Sequence, residues 1–358
     1  MPVNYQLPVL PLQRDFHSPE VLLALNGASR QLAELKGTAK TIPNERILTN
    51  TLILREARQS SAVENIITTQ DELYRADIRL DGNVSSATKE VLRYADALRY
   101  GYDRTVEQDI ITHGTILAVQ ERLEFNSAGI RKTPGVTLKN QQTGQVVYEP
   151  PQHPAEIERG LANLIDYLNA PQDDELDPLI RMAILHHQFE SIHPFYDGNG
   201  RTGRILNILY LVKEHLLDLP ILYLSGYIIR TKADYYRLLQ AVRDEAAWDE
   251  WVVYMLNGIE ETARDSIHLI TDIRALMADY KRRIRNDHTR MYSQDLINNI
   301  FRQPYTRIDL LAQDLRVHEN TARTYMNTLV HDGYLSKHKI GRTAYFVNDP
   351  LFGLLSRA

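Results

Sequence analysis

Residues 193–204 read HPFYDGNGRTGR, a glycine-rich stretch with apolar residues at helical spacing on both sides. Before it, Asp177 as N-cap and Pro178 in the first turn predict the start of a helix that runs to the motif. After it, apolar residues recur at helical spacing from Ile205 onward. The glycines are therefore predicted to join two helices and to open the second one.

The spacing Gly198-x-Gly200-x-x-Gly203 formally matches the fingerprint of dinucleotide-binding loops. That fingerprint needs a strand before the glycines and a βαβ unit around them, whereas here a helix precedes them. A P-loop is excluded as well, because no Gly-Lys-Ser/Thr follows. What remains is a Gly-rich turn opening a helix, where backbone N–H groups and the helix dipole favour an anion.

Four side chains in this stretch carry the chemistry of a polyphosphate site. Arg201 and Arg204 lie three residues apart and present forked guanidinium groups suited to phosphate oxygens. Asp197 supplies a hard oxygen ligand for Mg²⁺, which commonly binds through one or two carboxylates plus substrate phosphates. His193 titrates near neutral pH and can accept a proton. The plain alternative is a Gly-rich turn closed by a helix C-terminal His and two solvated arginines.

These twelve residues match, position for position, the signature His-Pro-Phe-x-(Asp/Glu)-Gly-Asn-Gly-Arg-x-x-Arg, and on it the chain resembles the Fic family of AMP transferases. The resemblance implies that His193 deprotonates a Tyr, Thr or Ser hydroxyl of a target protein. That hydroxyl would attack the α-phosphate of ATP and expel pyrophosphate, with Asp197 holding Mg²⁺ between the α- and β-phosphates. The implied ATP-binding residues are Gly198, Asn199, Gly200, Arg201, Thr202, Gly203, Arg204, Thr231 and Tyr235.

Two of these residues come from a stretch after the motif, residues 223–236, that is similar to the family's adenine-contacting segment. Thr231 stands where a longer polar side chain or an amide is expected. Tyr235 fits core packing equally well. His186 and His187, on the helix before the motif, point to different faces because they are adjacent, which argues against a metal cluster and for packing or surface positions.

A short β-hairpin is predicted between Thr133 and Tyr148. Apolar residues alternate on either side of a turn at residues 140–144, and Pro150-Pro151 ends the second arm. The resemblance implies a flap that holds a target segment by adding it as an extra strand. The target-binding residues expected there are Val136, Thr137 and Leu138. An ordinary surface hairpin is the alternative.

Ser60-x-x-x-Glu64-Asn65 resembles the (Ser/Thr)-x-x-x-Glu-(Gly/Asn) inhibitory motif of the same family. The resemblance implies that Glu64 pairs with Arg204 and keeps the γ-phosphate of ATP from its productive place. In some relatives the equivalent glutamate instead aligns water to remove AMP, and the sequence leaves that open. A separate reading is that Ser61-x-x-Glu64 forms a capping box at a helix N-terminus.

The last segment has the order of a winged helix-turn-helix unit. A short helix at residues 307–315, a turn and a second helix at residues 319–332 precede two β-like runs around Ile340-Gly341. The basic residues of the predicted wing, Lys337, Lys339 and Arg342, are candidates for phosphate contacts with DNA. The second helix is poor in basic residues, so packing or partner selection is the preferred role.

Composition limits the remaining choices. The 358 residues include no cysteine, which removes disulfides and thiolate chemistry and suits a reducing compartment. The net charge of −5 gives no global attraction to nucleic acid. Neither a signal-peptide pattern nor an apolar run of membrane-spanning length is present, so a soluble, cytoplasmic protein without a membrane partner is expected.

The predicted fold is mainly α: a Fic-type helical core with a β-hairpin flap, plus a C-terminal winged helix-turn-helix domain. The predicted divisions are an N-terminal helical region at 1–105, a catalytic core at 106–285 and the winged domain at 295–358. The predicted function is AMP transfer from ATP to unidentified target proteins or to the chain itself, and the resemblance suggests a homodimer. The alternatives are a DNA-binding regulator with a nucleotide-sensing helical domain, and a Fic-fold enzyme that transfers another phosphate-containing group or removes AMP.

Overall fold

The computed structural model describes residues 5–80, 84–139, 144–171, 176–341 and 343–356. Within these ranges the chain forms fifteen helices and five short strands, as the mainly α prediction requires. The helices are α1 (Pro19–Ala39), α2 (Glu45–Val63), α3 (Gln70–Asp77), α4 (Ser86–Gln108), α5 (His113–Glu124), α6 (Pro154–Asn169), α7 (Pro178–Ile192), α8 (Asn199–Lys213), α9 (Leu224–Arg230), α10 (Lys232–Glu245), α11 (Trp248–Asp287), α12 (Gln294–Arg302), α13 (Ile308–Leu315), α14 (Glu319–His331) and α15 (Asp349–Ser356). The strands are β1 (Leu138–Lys139), β2 (Val146–Tyr148), β3 (Tyr305–Thr306), β4 (Ser336–Ile340) and β5 (Thr343–Val347).

Helices α7 and α8 form the centre of the molecule. Every residue of α7 after Pro178 is buried, and so is nearly all of α8. The predicted start of α7 is confirmed, because the Asp177 side chain accepts a hydrogen bond from the backbone N–H of Leu179. Since α2, α4, α5 and α6 all pack against this pair, the loop between α7 and α8 has a rigid base on both sides.

Helix α11 connects the centre to the C-terminal part of the chain. It contains 40 residues and so extends about 60 Å at 1.5 Å per residue. Helix α1 packs along it, while α7, α9, α12 and α15 contact it at other points. The predicted boundary near residues 285–295 falls between the end of α11 and the start of α12, whereas α4 continues past the boundary predicted at residue 105.

Helices α4 and α5 are separated by a short break at residues 109–112. Residue Gln108 ends α4, and Asp109 takes a left-handed conformation with φ of 55° as its C-cap. The Thr112 side chain then accepts from the backbone N–H of Thr115 and starts α5. The side chain of an N-cap residue satisfies one of the free N–H groups of a new helix, so Thr112 sets the boundary.

The predicted hairpin is present but short. Strands β1 and β2 pair antiparallel, with Leu138 opposite Tyr148 and Lys139 opposite Val146. Val136 and Thr137 lie before the strand and not in it. Of the turn predicted at residues 140–144, residues 140–143 lie outside the described residues.

The C-terminal part contains the two helices and the two strands that the sequence predicts, as α13, α14, β4 and β5. Strand β3, which the sequence pattern did not indicate, pairs with β5 and gives the sheet order β3-β5-β4. The winged helix-turn-helix assignment itself stays a prediction, and Arg342 lies outside the described residues.

No helix in the described part of the chain combines the length and the apolar character needed to cross a bilayer.

Candidate active site

The loop at residues 193–198 is closed by backbone geometry and one amide. His193 ends α7 in the left-handed region, with φ of 48°, and its N–H donates to the Phe189 carbonyl. The Asn199 side chain accepts from the Phe195 N–H and donates to the Phe195 carbonyl, both at 2.8 Å. The Asn199 side chain therefore holds the loop through its amide, and its predicted ATP contact stays a prediction.

Gly198 is the N-cap of α8, with φ of 77°, a conformation that L-residues rarely adopt. A β-carbon there would lie 2.4 Å from Glu124 Oε1. A β-carbon on Gly200 would lie 2.6 Å from Glu64 Oε1. Carboxylates thus approach the positive end of α8, where an anion is favoured.

Arg201 is paired inside the protein. Its side chain is 4 % exposed, and Nη2 donates to Glu124 Oε1 at 2.8 Å. Its Nη1 lies 3.6 Å from Glu90 Oε2. A phosphate that binds Arg201 has to compete with these carboxylates, which the sequence pattern did not indicate.

Arg204 is held by the end of α2. Its Nε donates to Ser60 Oγ at 2.8 Å, and Nη2 donates to the Ser60 carbonyl at 3.0 Å and to Glu64 Oε1 at 2.9 Å. The predicted contact between Glu64 and Arg204 is confirmed. Because Arg201 and Arg204 are both buried, the alternative of two solvated arginines is wrong.

The electrostatics of the Glu64–Arg204 pair favour the charged forms. Burial alone raises the pKa of Glu64, but the Arg204 guanidinium outweighs it and holds that pKa below its ordinary value. Burial lowers the pKa of Arg204, and the carboxylate of Glu64 more than offsets this and raises it. The pair is therefore ionised at neutral pH.

The capping-box interpretation of Ser61-x-x-Glu64 is wrong. Ser60 and Ser61 lie in the last turn of α2, and Glu64 is its C-cap. The next helix, α3, begins at Gln70 with Thr69 as its N-cap. No helix begins at Ser61, so Glu64 has no N-terminal amide to cap. Asn65 follows with φ of 63°, a conformation that asparagine and glycine tolerate better than other residues.

His193 is partly buried at the mouth of α8. Burial, together with the charges of Arg131 and Arg243, lowers its pKa to about 4. Its imidazole is therefore neutral at pH 7 and can accept a proton, as a general base must.

Asp197 is exposed beside the glycines. Its Oδ1 accepts from the Gly198 N–H at 2.7 Å, and its carbonyl accepts from Gln120 Nε2 at 3.3 Å. Among the described residues no group of three or more His, Asp or Glu side chains converges as a metal site. One carboxylate suits Mg²⁺ only where substrate phosphates complete the coordination.

Thr231 and Tyr235 already have partners in the protein. Thr231 Oγ1 donates to the Tyr227 carbonyl at 2.8 Å and lies 2.8 Å from the Tyr254 hydroxyl. The Tyr235 ring is buried, with its hydroxyl 2.9 Å from His186 Nε2. Adenine contacts by these two side chains stay a prediction, and each would have to share an existing hydrogen bond.

The two histidines before the motif are both buried packing residues. His186 contacts Tyr235, and His187 Nε2 lies 3.2 Å from the Leu239 carbonyl. Their neutral forms are favoured, since burial lowers the pKa of His186 to about 3 and that of His187 well below its ordinary value.

Sequence reasoning missed three charged residues around the loop: Arg131, Glu124 and Glu190. Glu190 is buried behind Gly203, where a β-carbon would lie 2.7 Å from Glu190 Oε1. Burial raises its pKa to about 7. The only sequence signal that could have identified Glu190 was its position three residues before His193 on a helix rich in apolar residues. Arg131 and Glu124 had none, because they come from distant segments.

The fold and the site define a helical protein with a glycine-rich loop between two buried helices, in which Arg204 is paired with a carboxylate of its own chain. Family models match three successive parts: Fic/DOC family N-terminal at residues 22–103, Fic/DOC family at 110–211, and protein adenylyltransferase SoFic-like, C-terminal domain, at 276–351. The chain belongs to the Fic/DOC family.

Curated relatives are similar over part of their length. Protein adenylyltransferase fic-1 of Caenorhabditis briggsae is 36 % identical over 89 residues, which are 25 % of this chain and 16 % of that protein. Its Caenorhabditis elegans counterpart is 31 % identical over 126 residues, 33 % of this chain and 24 % of that protein. This chain thus matches a quarter or less of these two relatives.

A solved structure matches nearly the whole chain. A Fic family protein from Desulfovibrio desulfuricans G20 aligns with a TM-score of 0.60 and 22 % identity, covering 96 % of this chain and 98 % of the other. Fic-1 of C. elegans aligns with a TM-score of 0.54 and 21 % identity, over 71 % of this chain and 74 % of that chain. At these identities the likeness shows the fold.

Proposed function

We propose that this chain is a protein adenylyltransferase that moves AMP from ATP to a Tyr, Thr or Ser hydroxyl of a protein. The observation that carries the proposal is a neutral His193 in the loop that leads into α8, the helix whose first turns carry the buried guanidinium of Arg204. A base and a phosphate-binding cation at one helix N-terminus are what in-line transfer of a phosphoryl group requires. The adenylyltransferase names of the relatives support the same reaction.

In the proposed reaction the target hydroxyl oxygen forms a bond to the α-phosphorus. The bond from that phosphorus to the oxygen bridging to the β-phosphate breaks, and pyrophosphate leaves. The hydroxyl proton goes to the neutral imidazole of His193. The backbone N–H of Gly200 and the dipole of α8 stabilise the charge on the transferring phosphate.

Asp197 would hold Mg²⁺, and a bound Mg²⁺ would neutralise part of the phosphate charge. The exposed position of this carboxylate leaves room for substrate phosphates as further ligands. ATP would place its phosphates against Arg201 and Arg204, with Thr202 and Gly203 in the first turns of α8 behind them.

We also propose that Glu64 inhibits the reaction. It occupies Arg204 and lies against Gly200, the two places where the end of a triphosphate would bind. A carboxylate and a phosphate compete for the same guanidinium, so ATP binds productively only when Glu64 leaves.

The flap would present the target. Among the described residues β1 pairs with β2 alone, and Val136 to Leu138 follow the segment at residues 130–133 that contacts the motif loop. An extended target segment could add to the free edge by main-chain hydrogen bonds.

The test is incubation of the purified chain with Mg²⁺ and ATP labelled at the α-phosphate, followed by mass spectrometry of the protein. The expected result is an AMP adduct that is absent with His193→Ala and greater with Glu64→Gly. ATP labelled at the γ-phosphate serves as the control and should leave no label. A γ-label would indicate phosphate transfer, and no His193-dependent adduct on the chain or on added lysate proteins would contradict the proposal.

A further inference from the structure

The side chain of Arg131 lies beneath the loop that carries His193. It is fully buried, and Nε donates to the His193 carbonyl at 2.8 Å. Its Nη2 donates to the Ile192 carbonyl at 3.4 Å and also to the Pro151 carbonyl. The Arg131 backbone N–H donates to the Pro194 carbonyl at 2.9 Å.

These contacts meet a need created by the end of α7. The last carbonyls of a helix have no partner within the helix. The strained left-handed conformation of His193 also has to be held by its surroundings. Arg131 supplies donors to carbonyls 192 and 193, and the β-bridge between Ile130 and Phe195 fixes the neighbouring backbone.

Within the described part of the chain, the acceptors of the Arg131 guanidinium are all backbone carbonyl oxygens, and it forms no ion pair. Its role is therefore to hold the backbone in place. The same segment continues from residue 131 into the flap. Arg131 therefore connects three parts of the molecule: the flap, the segment after β2 and the loop that carries His193.

We propose that Arg131 is a positioning residue that holds the imidazole of His193 at the mouth of α8 and in fixed register with the flap. This inference rests on the proposed AMP transfer. A small displacement of a catalytic group can lower a rate by roughly a hundredfold without loss of the fold.

The test compares Arg131→Met and Arg131→Lys in the Glu64→Gly background, with Arg159→Met on the exposed face of α6 as the matched control. We expect Arg131→Met to lower kcat for self-labelling by roughly a hundredfold, with KM for ATP changed by less than about twofold. Lysine keeps one donor and should recover part of the loss. The control should match its parent.

A second measurement follows the imidazole by NMR titration. The charged groups that face it are Arg131, Arg243 and Glu64. Arg131→Met should move the His193 pKa upward toward its ordinary value, whereas Arg131→Lys should move it less. If Arg131→Met does not fold, the same readouts are taken on Arg131→Lys, for which we expect a loss of kcat of about tenfold at unchanged KM.

Unchanged kcat would overturn the proposal, and so would parallel losses of kcat, ATP affinity and thermal stability, which indicate a merely structural role. If the Glu64→Gly parent shows no His193-dependent label, the proposed function fails and this inference fails with it. If the Glu64→Gly parent is labelled and the Arg131 variant is equally active, the proposed function stands and only the inference about Arg131 fails.

A different set of contacts joins the C-terminal part of the chain to the segment after Glu64. The ring of Tyr305 in β3 stacks on Tyr74 of α3, with centroids 5.8 Å apart, and its hydroxyl donates to Asp71. Gln70 Nε2 donates to the Leu355 carbonyl at 3.1 Å. Arg307 Nη1 donates to the Arg79 carbonyl at 3.3 Å.

Helix α3 begins six residues after Glu64, and α12 packs directly against α2. Both helices that border Glu64 are therefore held by residues 294–356. We infer that the C-terminal part keeps Glu64 on Arg204, so that loosening its contact with α3 releases inhibition. This inference also rests on the proposed function.

The test uses the full chain with the double substitution Tyr305→Phe and Arg307→Ala, which removes the polar contacts of these residues with Asp71 and with the Arg79 carbonyl and keeps the ring stack. The matched control is Arg323→Ala on the exposed face of α14. We expect AMP self-labelling to rise roughly three- to tenfold over the control. Made in the Glu64→Gly background, the double substitution should give no further rise.

Hydrogen exchange gives a readout independent of activity, and amides at residues 61–66 should exchange faster in the double variant. Labelling and exchange equal to the control, in a chain whose Glu64→Gly variant does label, would overturn the inference. Labelling absent even from Glu64→Gly would instead reject the proposed function.

Discussion

Removing the carboxylate of Glu64 should accelerate AMP transfer by roughly one to two orders of magnitude. Glu64 Oε1 accepts from Arg204 Nη2 at 2.9 Å, and the arginine side chain is 1 % exposed. A hydrogen bond to a charged group contributes about 1.5–3 kcal/mol, and about 1.4 kcal/mol corresponds to a factor of ten. A γ-phosphate that reaches Arg204 has to replace this bond.

Screening by solvent determines where the rate gain of Glu64→Gly falls between one and two orders of magnitude. The Glu64 side chain is 31 % exposed, so its interaction with Arg204 is weaker than that of a fully buried pair. Arg204 also keeps both contacts with Ser60 after the substitution, so its position is retained. We therefore expect the lower half of the range, a gain of roughly ten- to thirtyfold.

The assay is the initial rate of AMP incorporation from α-labelled ATP at an ATP concentration below KM. Wild type, Glu64→Gly and Glu64→Gln are compared, with His193→Ala as the blank. Glutamine keeps the size of the side chain and loses the charge, so its rate should fall between the other two. Equal rates for wild type and Glu64→Gly, with a labelled product that depends on His193, would refute the idea that this ion pair limits the reaction.

Three further outcomes follow from the site. Because burial lowers the pKa of His193 to about 4, its imidazole stays unprotonated as the pH falls. The labelling rate of Glu64→Gly should therefore stay nearly constant from pH 8 to about 5.5 before it declines. A decline centred near pH 6.5 in a folded protein would contradict this. Asn199→Ala removes both hydrogen bonds to Phe195 and should lower the labelling rate by at least about tenfold, with circular dichroism showing retained helix. Gly203→Ala places a β-carbon 2.7 Å from Glu190 Oε1 and should lower the free energy of unfolding by about 1–3 kcal/mol. Gly37→Ala on α1, where a β-carbon meets nothing within 4 Å, should not destabilise the protein. Urea titration of both variants measures the difference.

The helices around the site were predictable because their signals are local. Asp177 and Pro178 set the start of α7, and the glycines set the start of α8, within a few residues of each boundary. Apolar residues at helical spacing indicated both helices, but not that α7 and α8 are buried on all sides. The hairpin was predictable in kind, but its length was not, because strand pairing depends on contacts across the turn.

The alternative that failed was the capping box at the end of α2. The pattern Ser61-x-x-Glu64 is compatible with the first turn of a helix and also with the last one. Which of the two forms depends on where the apolar face of α2 packs, and on Arg204, 140 residues away in the chain. A local pattern does not contain that information.

The sequence by itself determined the helical character of the chain and the glycine-rich turn between two helices, and it singled out the histidine, the two arginines and the carboxylate within residues 193–204 as the candidate site. These follow from spacing over a few residues. Only the tertiary structure decided that Glu64 and Ser60 hold Arg204, that Glu124 holds Arg201 and that Arg131 supports the His193 backbone. Each is a contact between segments far apart in the chain, formed when burial leaves a charge or a carbonyl in need of a partner.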